Sequence, residues 1–207
     1  MTSANALYSM RKRPKQARAR STVEAVLEAA TQLLLRQGYD RSSTNQIAEL
    51  AGVSIGSLYE YFPGKEAIFA EIRRMESKKH YALLTADPVP TTPRHMLKHL
   101  ILTHIEHVSS NLPLHVALQT EVPRNATRKT ETEILDDYSV RSVEFLDQHR
   151  ELLRPNVDAA FLGEFLMRVL SAPINDYAVR APSRLEDPQL AEQVVDLLSR
   201  YLLSTAK

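Results

Sequence analysis

The sequence predicts an all-α chain of about nine helices, a three-helix N-terminal part followed by a larger helical remainder. Three observations carry that expectation. Apolar residues recur at helical rather than alternating spacing through nearly everything after Arg13. Glycine occurs only 5 times, too few for a sheet with many tight hairpins or for a Gly-rich nucleotide loop. Prolines fall mainly between the periodic stretches and separate them.

The elements follow in order. Ser21-Thr22-Val23-Glu24 has the form of a capping box, and Val23, Val26, Leu27, Ala30 and Leu34 continue it at helical spacing. Gly38 sits where a glycine would close that helix, while Pro14 is an alternative first-turn residue. Ser43-Thr44-Asn45-Gln46 is a second capping box, followed by Ile47, Ala48, Leu50 and Ala51 and ended by Gly52. Ser54 caps a third short helix that runs to about Tyr61, where Pro63-Gly64 breaks it. A fourth helix starts near Lys65 with Ile68, Phe69, Ile72 and Met75 on one face. Asp87 to Pro93 is a proline-rich joint, and helices are expected beyond it at 94–110, 113–123, 128–153, 157–179 and 188–204. Pro173 predicts a kink near residue 170. The expected organisation is a basic flexible arm over 1–19, a helix-turn-helix domain over 20–66, and a helical domain over 67–207.

Composition narrows the function classes. With 43% hydrophobic and 25% charged residues the chain can bury a core. No apolar run approaches the ~18 residues of a membrane span, and the N-terminus has no apolar signal region, so a soluble cytoplasmic chain with no membrane partner is expected. Cysteine is absent, which excludes a disulfide, a thiolate metal site and a cysteine nucleophile. The net charge of +1 conceals a split. Residues 1–80 carry 13 Lys/Arg against 8 Asp/Glu, whereas residues 81–207 carry 13 against 17. Six cations lie within residues 11–20 alone, and a basic N-terminal third suits a polyanionic partner.

Residues 43–62 hold two short helices joined by Gly52-Val53-Ser54, the spacing of a helix-turn-helix. On a helical wheel with Ile55 at the origin, Leu58 falls at about 300°, on the packing side. Gly56, Glu60 and Ser57 occupy the opposite side, with Tyr59 and Tyr61 flanking at about 40° and 240°. Those outward residues are small or polar, which a DNA major groove admits. Thr44 at a helix start, the Tyr59 and Tyr61 hydroxyls and the Lys65 ammonium are donors suited to phosphate. Asn45 is placed to reach a phosphate or a base.

The stretch from Val26-Leu27-Glu28-Ala29-Ala30, through Gly38-Tyr39 and Ser43 to Ala48, to Ala51 through Glu66 resembles the N-terminal domain of TetR-family transcriptional regulators. The resemblance covers about residues 20–70 and implies DNA contact through Thr44, Asn45, Ser54, Gly56, Ser57, Tyr59, Glu60, Tyr61 and Lys65. Within that set, Thr44, Tyr59, Tyr61 and Lys65 look like phosphate contacts, and Asn45, Ser57 and Glu60 like base readers. It further implies a homodimer on a palindromic double-stranded DNA operator, closed by the last two helices, and release of that repressor by a small-molecule effector that tilts the fourth helix. No cofactor is implied.

The rest of the chain matches no motif. The 157–179 stretch is apolar around most of its circumference, with Phe161, Phe165, Leu162, Leu166 and Met167, which requires burial on more than one side. Ala191, Val194, Val195, Leu198, Tyr201 and Leu202 form a seam that suits either a dimer bundle or a thick core. His104 lies central in the apolar arc of Met96, Leu97, Leu100, Ile101, Ile105 and Val108, with His107 at its edge. Either it is a satisfied core residue or it orients a ligand. The ligand-lining candidates are His104, His107, Phe165 and Arg168; Glu164 and Arg168 also have the spacing of an ion pair. His95 and His99 are four apart but lack a third ligand, so no metal is expected. No HExxH, Walker A or G-x-S-x-G pattern occurs, and no catalytic residue is expected. A helical small-molecule-binding adaptor with little or no DNA binding is the competing reading; the basic N-terminus and the small outward residues 56 and 57 speak against it.

Overall fold

In the computed structural model, residues 7–84, 91–123, 132, 136, 139–140 and 142–204 are described, apart from the side chains of Glu164 and Met167. The helices described end to end are α1 (Ala17–Gln37), α2 (Thr44–Leu50), α3 (Ile55–Tyr61), α4 (Lys65–Leu84), α5 (Pro93–Ser110), α6 (Leu112–Thr120), α7 (Ala159–Arg180) and α8 (Pro188–Leu202), and residues 142–148 are helical as well. Short 3₁₀ turns stand at Arg150–Leu152 and Pro182–Glu186. Among the described residues the extended structure is a single antiparallel bridge, Leu153 with Leu203. The fold is all-α.

Local chemistry sets most boundaries. Ser43 Oγ accepts the Gln46 amide at 3.3 Å while Gln46 Oε1 accepts the Ser43 amide at 3.1 Å, closing the second capping box. Ser54, Thr92, Asp158 and Asp187 cap α3, α5, α7 and α8 through side-chain oxygens. Gly38 and Gly52 take positive φ, 84° and 66°, where an L side chain would be strained. The first helix differs from expectation. It begins at Ala17 after Gln16, which makes no side-chain cap, so Ser21 lies inside the helix and the Ser21–Glu24 pattern caps nothing. Pro14, upstream of that start, leaves the backbone free to turn helical only after it.

The chain divides into two compact units: residues 1–77 with 113–131, and residues 78–112 with 132–207. The first unit therefore extends beyond the boundary expected at residue 66. The reason is its core: Val26, Leu34, Phe62 and Phe69 share one cluster with Leu114 and Leu118 of α6. Burying that much apolar surface in so small a head requires the first half of α4 and α6 as well as α1 to α3. Arg73 adds a polar tie, its guanidinium donating to the Leu118 carbonyl.

In the second unit α5 packs against both α7 and α8. Leu97, Ile101, Leu170, Ile174, Val195 and Leu202 are among its buried residues. Helix α7 runs unbroken through Pro173 to Arg180. Gly163 lets it approach its neighbour closely, since a Cβ there would stand 2.8 Å from the Ser139 carbonyl oxygen and 2.3 Å from Val143 Cγ2. Most of the first half of the helix expected at 128–153 lies outside the described residues, as do residues 1–6 of the expected arm and the Glu164 partner expected for Arg168. Among the described residues no helix is long and apolar enough to cross a membrane.

Candidate nucleic-acid interface

The helix-turn-helix is α2, the Gly52 turn and α3. Leu58 is fully buried, and Ile47 and Ala48 pack from α2 into the same cluster, so the two short helices are fixed to α1 by their apolar sides. The opposite side of α3 is open. Gly56 and Glu60 are exposed and Ser57 is partly so. Ser54 Oγ accepts the Ser57 amide at 3.0 Å and lies 2.8 Å from Ser57 Oγ, so the cap also fixes a hydroxyl on the open face. Asn45 is exposed on α2. Thr44 Oγ1 and Tyr59 Oη stand 3.1 Å apart, which sets two hydroxyls side by side at the edge of that face. Such an arrangement presents a small, polar, convex surface of the kind a major groove receives.

Two expected members of the set sit elsewhere. Tyr61 is 9% exposed and belongs to the core cluster. Lys65 Nζ donates to the carbonyls of Tyr39 and Ser42, at 3.0 and 3.2 Å, and lies 4.2 Å from the centre of the Tyr39 ring. Its ammonium thus closes the turn after α1. A lysine reaching a bare turn has the backbone carbonyls as its nearest acceptors, and sequence spacing does not reveal them.

The residues before α1 were expected to be a flexible arm, and the described part is docked instead. Arg11 donates its amide to the Tyr61 carbonyl at 2.7 Å. Lys12 Nζ lies 2.8 Å from Glu60 Oε2, and Arg13 reaches the buried Glu71 carboxylate at 2.7 Å. The hydrogen bond to Glu60 and its charge raise the Lys12 ammonium above its ordinary range. Lys12 was visible only as one cation in a basic run; nothing in spacing paired it with Glu60, 48 residues away.

The matching family model is that of bacterial regulatory proteins of the tetR family, over residues 26–72. The match takes in α2, the turn and α3 entire. Over those residues the chain matches the tetR family. Among similar proteins, the HTH-type transcriptional repressor BepR of Brucella suis is 34% identical over 96 residues, 45% of this chain and 46% of that protein. The regulator RutR of Escherichia coli is 36% identical over 90 residues, 44% of this chain and 42% of RutR. The alignments thus span less than half of either relative. Of solved structures, NalD of Pseudomonas aeruginosa superposes with a TM-score of 0.71 at 22% identity, covering 92% of this chain and 100% of NalD. FadR of Bacillus halodurans gives 0.67 at 18%, covering 94% and 99%. At those identities the likeness is one of fold.

The chain carries a second candidate site, in its second unit. Pro93, Met96, Leu97, Leu100, Phe145 and Leu166 are among the residues that line a small apolar cleft. None of the expected ligand residues lines it. His104 is buried with its Nδ1 3.2 Å from His80 Nε2, and His107 stacks on His80 with ring centres 4.8 Å apart. Phe165 and Arg168 are exposed on α7. Met96, Leu97 and Leu100 were legible as one end of the apolar arc, but their partners from 142–146 and α7 were not. His99 Nε2 stands 3.1 Å from the Leu84 carbonyl, and among the described residues no three His, Cys, Asp or Glu are placed to hold a metal.

Proposed function

We propose that the chain is a sequence-specific DNA-binding transcriptional regulator, a repressor that a small apolar ligand releases from a palindromic operator. The observation that carries the reading is the open face of α3, small and polar at Gly56, Ser57 and Glu60, on a helix pinned by the wholly buried Leu58. Thr44 and Tyr59 take phosphate, while Asn45, Ser57 and Glu60 face base edges, with Ser54 holding Ser57 in place. The buried Tyr61 and the internally bonded Lys65 fall out of the phosphate set.

The regulator works as a homodimer. Phe161 and Phe165 stack at 5.1 Å on α7 yet remain 53% and 47% exposed, and α8 exposes Leu197 and Tyr201 at 69% and 60%. Large apolar groups left in water on two helices of one unit favour association. Of the seam read from the sequence of α8, Ala191, Val195 and Leu202 are buried within their own unit, while Tyr201 is exposed. The effector is assigned to the apolar cleft, whose lining has no charged side chain. The test is an unbiased selection of bound duplexes with the full chain, repeated against a panel of small molecules. Enrichment of an inverted repeat, lost with an apolar compound, is expected. Failure to enrich any sequence overturns the reading.

A further inference from the structure

A short basic strap crosses the C-terminal end of α3. It is anchored twice. Tyr8 and Met10 pack against the core of the first unit, and Arg13 holds Glu71, whose side chain is only 8% exposed. Between these anchors the Arg11 amide donates to the Tyr61 carbonyl, and Lys12 lies 4.9 Å from the centre of the Tyr61 ring. Lys12 is thereby held against Glu60, the acid on the open face of α3, with the two side chains 55% and 58% exposed.

Folding stability does not account for this pairing. An exposed ion pair in water contributes little, because solvent screens it and two long side chains must be ordered to make it. Beside a polyanion the balance changes. Every phosphate repels an uncompensated Glu60, and the low-dielectric, ion-depleted space between protein and duplex screens that repulsion less than bulk water does.

We propose that residues Met10–Arg13 are a built part of the DNA interface, in which Lys12 cancels the charge of Glu60 on the face that α3 presents to the groove. The inference rests on the DNA-binding reading above. Arg13, committed to Glu71, is the anchor, and Lys12 is the working residue. Discrimination follows from the same geometry. Where a base edge offers a donor to Glu60, as cytosine N4 does, the carboxylate has a second partner and Lys12 is freed for a phosphate.

The test is a double-mutant cycle on the full chain: wild type, Lys12→Ala, Glu60→Gln and the double variant, titrated with a selected duplex and a random duplex at several salt concentrations. Lys12→Ala is expected to weaken binding of both duplexes about tenfold in the wild-type background and only about twofold beside Glu60→Gln. Equal factors in the two backgrounds overturn the inference and leave the DNA-binding reading standing. A wild-type chain that binds no duplex overturns both. Docking of the strap is read without DNA, from hydrogen exchange at the Arg11 amide. Protection is expected, and exchange at the rate of an unfolded peptide overturns the strap whatever the binding data show.

Discussion

Lys65 and Tyr39 show how a single contact redirects a residue. The ammonium bonds two carbonyls and covers the Tyr39 ring, so its removal leaves two acceptors in a half-buried turn without their cation. Lys65→Ala is expected to lower stability by about 1.5–3 kcal/mol in chemical denaturation. The salt dependence of DNA binding should keep its slope, whereas loss of a phosphate contact would reduce it by about 0.9. Tyr39 makes a second prediction. Burial first, and then the charge and hydrogen bond of Glu66, push its phenol up to about 12. A group whose neutral form is favoured by folding stabilises fully below its unfolded pKa, about 10, and loses that contribution as pH rises toward 12. The stability of wild type should fall more steeply between pH 10 and 12 than that of Tyr39→Phe, and parallel curves would refute the assignment. The burial of Tyr61, by contrast, was legible: it lies only about 60° from Leu58 on the wheel. Side-chain chemistry suggested a donor there, and packing takes the ring into the core cluster.

At the scale of the element, the caps were the most readable feature. A capping box is a contact between residues three apart, and its donors exist only because a helix starts there, so sequence and structure carry the same information. Ser43→Ala should cost about 1 kcal/mol through loss of the cap on α2. The first helix was misread because Ser21 and Glu24 also fit helix-interior positions. Where a helix is long and anchored by Val26, Ala30 and Leu34, the burial of those residues outweighs one local cap. Gly163 carries an element-scale prediction opposite to its propensity. Alanine is worth about 1 kcal/mol more than glycine in a helix interior, yet its Cβ would press on the Ser139 carbonyl, a backbone atom that has little room to move. Gly163→Ala is therefore expected to lower the thermal midpoint. A rise would show that α7 and residues 139–143 separate freely.

For the whole molecule the expectation is a dimer. Sedimentation should give twice the 23.4 kDa chain mass at micromolar concentration. Phe161→Glu with Leu197→Glu, both at exposed positions, should yield a monomer of unchanged helicity. A persisting dimer would place the interface elsewhere. The fold class, the order of the helices and the place of the helix-turn-helix were determined by the sequence alone, because periodicity, caps and glycine at the turns are relations between residues fewer than about ten positions apart. Tertiary structure decided the rest: that α6 belongs with the head, that an apolar cleft opens at Met96 and Leu100, and that Lys12 meets Glu60. Each of these joins side chains tens of residues apart. A helical wheel gives the direction in which a side chain leaves its own axis, and only the packing of several helices fixes which other side chain it meets there.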